Sequence, residues 1–196
     1  PDCNFGTGGD GTATVSTEIN LNTEVLAAGR TYPDAVNYTV TSIGSSNVET
    51  STAPNGITAG DEVLLINCRG DSSDYQSTGN YEFLSVSAVS GSRIDFTSTV
   101  TGVYGTNNGN SDLTGQSIFV QRVPNYQALY IESAGKLTAS AWNGSSGGVL
   151  AVRAANVLSI DSGGTIDVAE LGYRGGQRVS GNDSGYQGES YAGLGV

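Results

Sequence analysis

Two short stretches of the chain gather oxygen donors. CRGDSSDY carries Asp71 and Asp74, and TNNGNSDLTG carries Asn107, Asn108, Asn110 and Asp112 around a glycine. Calcium takes carboxylate and amide oxygens from loops of this kind, so Asp71, Asp74, Asn107, Asn110 and Asp112 are candidate ligands. EF-hand spacing and its closing bidentate Glu are absent. Ordinary turns use the same residues, because Asp, Asn and Ser side chains bond nearby backbone amides. Arg69-Gly70-Asp71 is a tripeptide that integrins read on a displayed loop, but three residues weigh little against a plain turn.

The chain has no histidine, so Ser-His-Asp and Cys-His catalysis and a typical zinc hydrolase all lack a part. A carboxylate pair remains: Asp161 and Asp167, with Glu132 and Glu170 nearby, could serve glycoside hydrolysis. Carboxylates at strand ends more often cap turns, and the expectation is a protein that is not an enzyme. Trp142 with Tyr173, Tyr186 and Tyr191 could form an aromatic platform for sugars, although a lone Trp is more often core. Cys3 and Cys68 are expected to form one disulfide, as an even pair in an exported chain would.

Composition narrows the class further. A formal net charge of −11, with only Lys136 and seven arginines against 19 acidic groups, repels phosphate backbones and anionic lipid surfaces. Nucleic-acid partners are thereby disfavoured. No apolar run reaches the roughly 18 residues a membrane-spanning helix requires. The 37% apolar content is ample for a core. Without methionine the chain does not begin at an initiator codon, which suggests a mature N-terminus after export.

Helical periodicity is missing, and the polar positions are dominated by Gly, Ser, Thr and Asn, so the expectation is an all-β protein. YEFLSVSAVSGSRIDF alternates, with Phe83, Ser85 and Ser87 on one side and Leu84, Val86 and Ala88 on the other. Ser90-Gly91-Ser92 then reads as a hairpin turn. Val63 to Ile66 and SIFVQRV, stopped at Pro124, add further strands. Residues 1–124 are therefore expected to form a small antiparallel barrel or sandwich.

After Pro124 the pattern changes. Leu129 and Leu137 lie eight apart, as do Leu158 and Ile166. A shift of 21 maps Leu129 onto Leu150 and Leu137 onto Leu158. Such a repeat predicts short parallel β-helix-like rungs over 125–171, with the barrel capping one end. A meander of hairpins would explain the eight-residue spacing but not the 21. Residues 172–196 hold eight glycines and three tyrosines and are expected to form a tail or terminal rung, continuing the stack or docking on a neighbouring subunit.

Several strings together, AGDEVLLIN, GNYEFLSV, VQRVPNY, LTASAWNGSSGGVLAVRA, GGTIDVAELGYRGG and GYQGESYAGLG, resemble the N-terminal part of long glycine-rich bacterial surface proteins. In these a barrel-like segment leads into Gly-rich β-repeats. The resemblance runs from about Gly6 to the end and implies secretion or surface display, with no catalytic residues to carry over. Such proteins usually continue where this chain stops at Val196, so a fragment or a short member is expected. The functional expectation is an extracellular structural or surface protein that self-associates into a fibre or matrix through β-edges or its tail. The alternative is an adhesin or glycan-binding module. The expected partners are further copies, and polysaccharide or the cell envelope. No cofactor is expected beyond the calcium weighed above.

Overall fold

A computed structural model describes residues 5–176 and 188–193. The described residues form strands, turns and loops, with no helix among them. Six strands close an antiparallel barrel: β3 (Asn37–Ile43), β4 (Asn47–Thr50), β5 (Glu62–Arg69), β6 (Tyr81–Ser90), β7 (Arg93–Phe96) and β8 (Ser117–Val123), in the order β3-β4-β7-β6-β5-β8. Its interior is filled by Val40, Val48, Val63, Leu65, Leu84, Val86, Ile94, Ile118 and Val120. These are inward positions of strands whose alternate residues face outward.

The alternation along β6 holds through Val86 and then inverts. A register shift lies between Val86 and Ala88, so Ala88 turns out to solvent and Val89 packs against the core instead. A bulge of this kind adds one residue to one strand and flips every side chain after it. The hairpin forms as expected, with Ser90 opposite Arg93 and Gly91 at φ 61°, a left-handed angle that glycine adopts without penalty.

The other six strands run parallel. They are β1 (Thr12–Val15), β2 (Glu18–Asn20), β9 (Asn125–Ile131), β10 (Lys136–Thr138), β11 (Arg153–Ile160) and β12 (Thr165–Ile166), in two three-stranded sheets ordered β1-β9-β11 and β2-β10-β12. Each sequential pair, β1–β2, β9–β10 and β11–β12, contributes one strand to each sheet, and all pairings between them are parallel. β1 and β2 therefore belong with β9–β12, and the barrel interrupts the parallel strands after β2. The expected grouping of 1–124 as one unit is thus divided, β1 and β2 pairing with β9 and β10 and β3–β8 forming the barrel. Pro124 marks the re-entry, because a residue without an N–H stops the antiparallel ladder of β8, while its carbonyl accepts a bond from the Arg153 amide.

The register replaces the expected shift of 21. Leu129 lies opposite Leu158, Ile131 opposite Ile160 and Leu137 opposite Ile166, a shift of 29 in each case. The eight-residue spacing is real, but it separates the two strands of one unit. Leu150 lies outside any strand, half-buried against the same apolar cluster, and so imitated a repeat. Corner glycines stack where the chain turns between sheets. A Cβ on Gly135 would stand 2.1 Å from the Val15 carbonyl oxygen, and one on Gly164 would stand 2.7 Å from that of Glu132. Only glycine permits so close a backbone approach.

Candidate functional site

The parallel stack has two unlike ends. At the β1 end Ala13 and Val15 are 3% and 0% exposed. They share a cluster with Leu21, Ala27 and Ala35 from the segment between β2 and β3. At the β11–β12 end no such cover exists among the described residues. Leu158, Ile160 and Ile166 are 53%, 47% and 42% exposed, although their register partners Leu129, Ile131 and Leu137 are 0–1% exposed. Val157 and Val168 are also partly exposed, at 38% and 44%. A sheet edge carrying a contiguous apolar row is the feature soluble proteins normally avoid.

Arg122 is one of the side chains that join barrel and stack. Arg122 of β8 donates from Nε to Asp61 at 2.7 Å, from one terminal nitrogen to Asp10 at 2.7 Å, and from the other to the Asp34 carbonyl at 3.1 Å. Its side chain is 6% exposed, and those of Asp10 and Asp61 are 8% and 10% exposed. Burial alone would favour its neutral form, but the two carboxylates outweigh that and raise its pKa. Asp10 also accepts the Asn125 amide at 2.7 Å, and Asp34 accepts from the buried Tyr126 hydroxyl at 2.6 Å. Burial, then the Asp34 charge, drives that phenol far above its ordinary range. Nothing in VQRVPNY beyond a charge inside an apolar strand could have signalled this network.

Beside it lies a polar cleft of about 430 Å³ whose lining includes Thr7, Asp10, Asp61, Glu62, Ser85 and Asn125. Glu62 pairs with Arg153 through bonds of 2.5 and 2.7 Å. The Arg153 guanidinium lies 4.7 Å from the centre of the Phe83 ring. Phe83 and Tyr81, on the outward side of β6, are 41% and 62% exposed, with ring centres 6.0 Å apart.

The residues singled out from sequence divide between two places. Trp142 is only 5% exposed, so it is packed inside rather than offered as a platform. Tyr173 meets it edge-on at 6.0 Å, and Arg69 lies 5.9 Å from its ring centre. Glu189 is held between Arg69 and Arg174, and the Trp142 indole nitrogen lies buried near it. Tyr191 packs edge-on against Tyr75 at 5.4 Å, and its carbonyl accepts the Gly70 amide at 2.9 Å. Residues 188–193 therefore rest on the barrel of their own chain. Tyr186 and Cys3 lie outside the described residues. Cys68, the expected partner of Cys3, is a half-buried free thiol, and burial pushes its pKa up to about 11.

The candidate calcium ligands are drawn into turns. Asp71 accepts the amides of Ser73 and Asp74, and Asp112 accepts that of Thr114. Asn110 bonds the Tyr104 amide and the Gly102 carbonyl. Asn107 and Asn108 occupy left-handed positions at φ 52° and 55°, which Asn tolerates. Between the two loops, Asp74 and Asn107 meet, the Asn107 amide donating to the Asp74 carboxylate at 2.6 Å. Asp161, Glu132 and Glu170 are exposed on the stack. Asp167 caps the Ala169 amide, and its carboxylate lies 3.8 Å from Lys136.

Glu189 supplies a pH prediction. Burial would raise its pKa, but Arg174, Trp142 and Arg69 outweigh it and hold the carboxyl at about 2, against 4.5 ordinarily. A depressed pKa contributes stability that is complete above the ordinary value and is lost as pH falls toward the depressed one. Fluorescence of Trp142, the only tryptophan, should therefore report release of residues 188–193 between about pH 4.5 and pH 2. The variant Glu189→Gln should lack that step.

No protein-family model and no curated protein sequence matches the chain. Among solved structures, tailspike gp49 of Pseudomonas phage LKA1 is similar with a TM-score of 0.32 and 16% identity, over 67% of this chain and 27% of that one. The Gp54 tailspike of Acinetobacter baumannii bacteriophage AP22, solved with A. baumannii capsular saccharide, gives 0.31 and 16%, over 54% of this chain and 16% of that one. Tailspike gp61 of Pseudomonas phage phi297 gives 0.28 and 14%, over 66% and 24%. The chain spans about a quarter or less of each tailspike. Likeness this slight fixes neither fold nor ligand.

Proposed function

We propose that this chain is an extracellular, non-catalytic structural module whose parallel strands are the first coils of a β-helix, closed at the β1 end and open at β11–β12. The observation that carries the reading is the exposed row Leu158, Ile160 and Ile166, in register with the buried Leu129, Ile131 and Leu137. Burying such a row against a further coil stabilises by about 25 cal/mol per Å² of apolar surface. The partner is a second copy. With one end covered and one open, two-fold end-to-end association is the favoured product, and a fibre or matrix needs a second contact. Sedimentation across a concentration series tests this. The chain should gain mass with concentration, and a variant carrying Leu158→Asp and Ile166→Asp should stay monomeric. Monomers in both cases would defeat the assembly reading.

A second reading, polysaccharide binding at the cell surface, rests on a different observation. Phe83 and Tyr81 stand exposed on β6, two and four residues along the strand from Ser85, which lines a polar cleft.

A further inference from the structure

We infer that the cleft between barrel and stack, together with the exposed pair Phe83 and Tyr81 two and four residues along β6 from its lining residue Ser85, is a binding site for a neutral oligosaccharide. This deepens the polysaccharide reading by naming the site and the class of sugar. Tyr81 and Phe83, 62% and 41% exposed and in edge-on contact, form an apolar surface patch of the kind that marks ligand sites. They sit two residues apart on the outward side of β6, and the next residue on that side, Ser85, lines the cleft opposite Glu62. Arg153 ties Phe83 to the cleft, stacking over its ring while its guanidinium is bonded to Glu62.

The lining suits sugar chemistry. A pyranose offers an apolar C–H face and a ring of hydroxyls that both donate and accept. An aromatic ring takes the first, and carboxylate, amide and hydroxyl groups held by partners of their own take the second. Asp10 and Asp61 are fixed by Arg122, and Glu62 by Arg153, so each keeps an orientation while retaining oxygen lone pairs. These three carboxylates face two arginines, and the whole chain carries a net charge of −11, which disfavours uronate, sialate or sulfate groups. A volume of about 430 Å³ matches the size of ordinary ligand sites. The Trp142 cluster lacks that openness, since Trp142 is 5% exposed.

Calorimetric titration of the full chain with neutral hexasaccharides of glucose, mannose and N-acetylglucosamine, and with a hexagalacturonate as the anionic comparison, tests the inference. At least one neutral probe should bind and hexagalacturonate should not. Phe83→Ala and Tyr81→Ala, both at exposed positions, should each weaken binding about tenfold or more, while Tyr32→Ala, exposed elsewhere, should not. Binding that survives both β6 substitutions would overturn this site and leave the polysaccharide reading standing. Preference for hexagalacturonate would overturn the neutral class. No binding by any probe would overturn both site and reading.

Discussion

Replacing Arg122 by alanine should lower stability by about 3–5 kcal/mol, the cost of removing one partner from a buried ion pair. The guanidinium is 6% exposed and its two carboxylates 8% and 10%, so little water can enter to screen the charges left behind. Asp10 and Asp61 would then face each other's charge without a cation, and the Asp34 carbonyl would lose its bond from Arg122. Three chain segments meet at this side chain: the approach to β1, the segment leading into β3, and the turn before β5. In a chain of 196 residues that loss corresponds to a fall in Tm of roughly 6–20 °C, readable by calorimetry. Arg122→Lys should recover only part of it, because an ammonium is a compact charge and lacks the planar fork that reaches three oxygens at once. Replacing all three charges, as Asp10→Asn, Asp61→Asn and Arg122→Met together, should recover more than lysine does, since it removes the uncompensated carboxylates. A loss below about 1 kcal/mol for Arg122→Ala, the value of a surface pair, would mean that the junction is solvated and does not tie barrel to stack.

The all-β class and the barrel strands were legible because alternation and turn residues are local signals. Leu84 and Val86 point inward and the Ser90–Arg93 hairpin forms where the sequence places it. The inversion at Ala88 was not legible, because a bulge is set by how β6 meets β7 and not by either strand alone. The join of β1 and β2 to β9 and β10 was hidden for a related reason. The paired residues, such as Val15 and Ile131, are separated by the whole barrel, and short strands carry too little pattern to reveal a distant partner. Trp142 and Tyr173 meet edge-on beside the Glu189 carboxylate, a neighbour that no local pattern announces. The exposed pair Tyr81 and Phe83 was not legible, because outward residues of an alternating strand read simply as its solvent side. What distinguishes them is bulk where the neighbouring outward positions, Ser85 and Ser87, are small.

Leu129→Ala and Leu158→Ala should give opposite results, although the two leucines stand opposite each other in adjacent parallel strands. Leu129 is fully buried among Val15, Ile131 and Leu137, and its truncation should cost about 2–5 kcal/mol through lost transfer energy and a residual cavity. Leu158 is 53% exposed, and in dilute protein its truncation should stay within about 0.5 kcal/mol. At concentrations where copies associate the ranking changes. Leu158→Ala should then weaken association, because each two-fold contact buries the residue twice, once from each subunit. Leu129→Ala should lower Tm at every concentration while leaving the concentration dependence intact. Melting each variant at a low and a high protein concentration separates the two effects, since a ligand or partner that binds only the folded state raises Tm with concentration. Equal losses for both leucines in dilute protein would show that the β11–β12 end is already covered within a single copy. The exposed row would then be core, and a partner would have nothing to bury there.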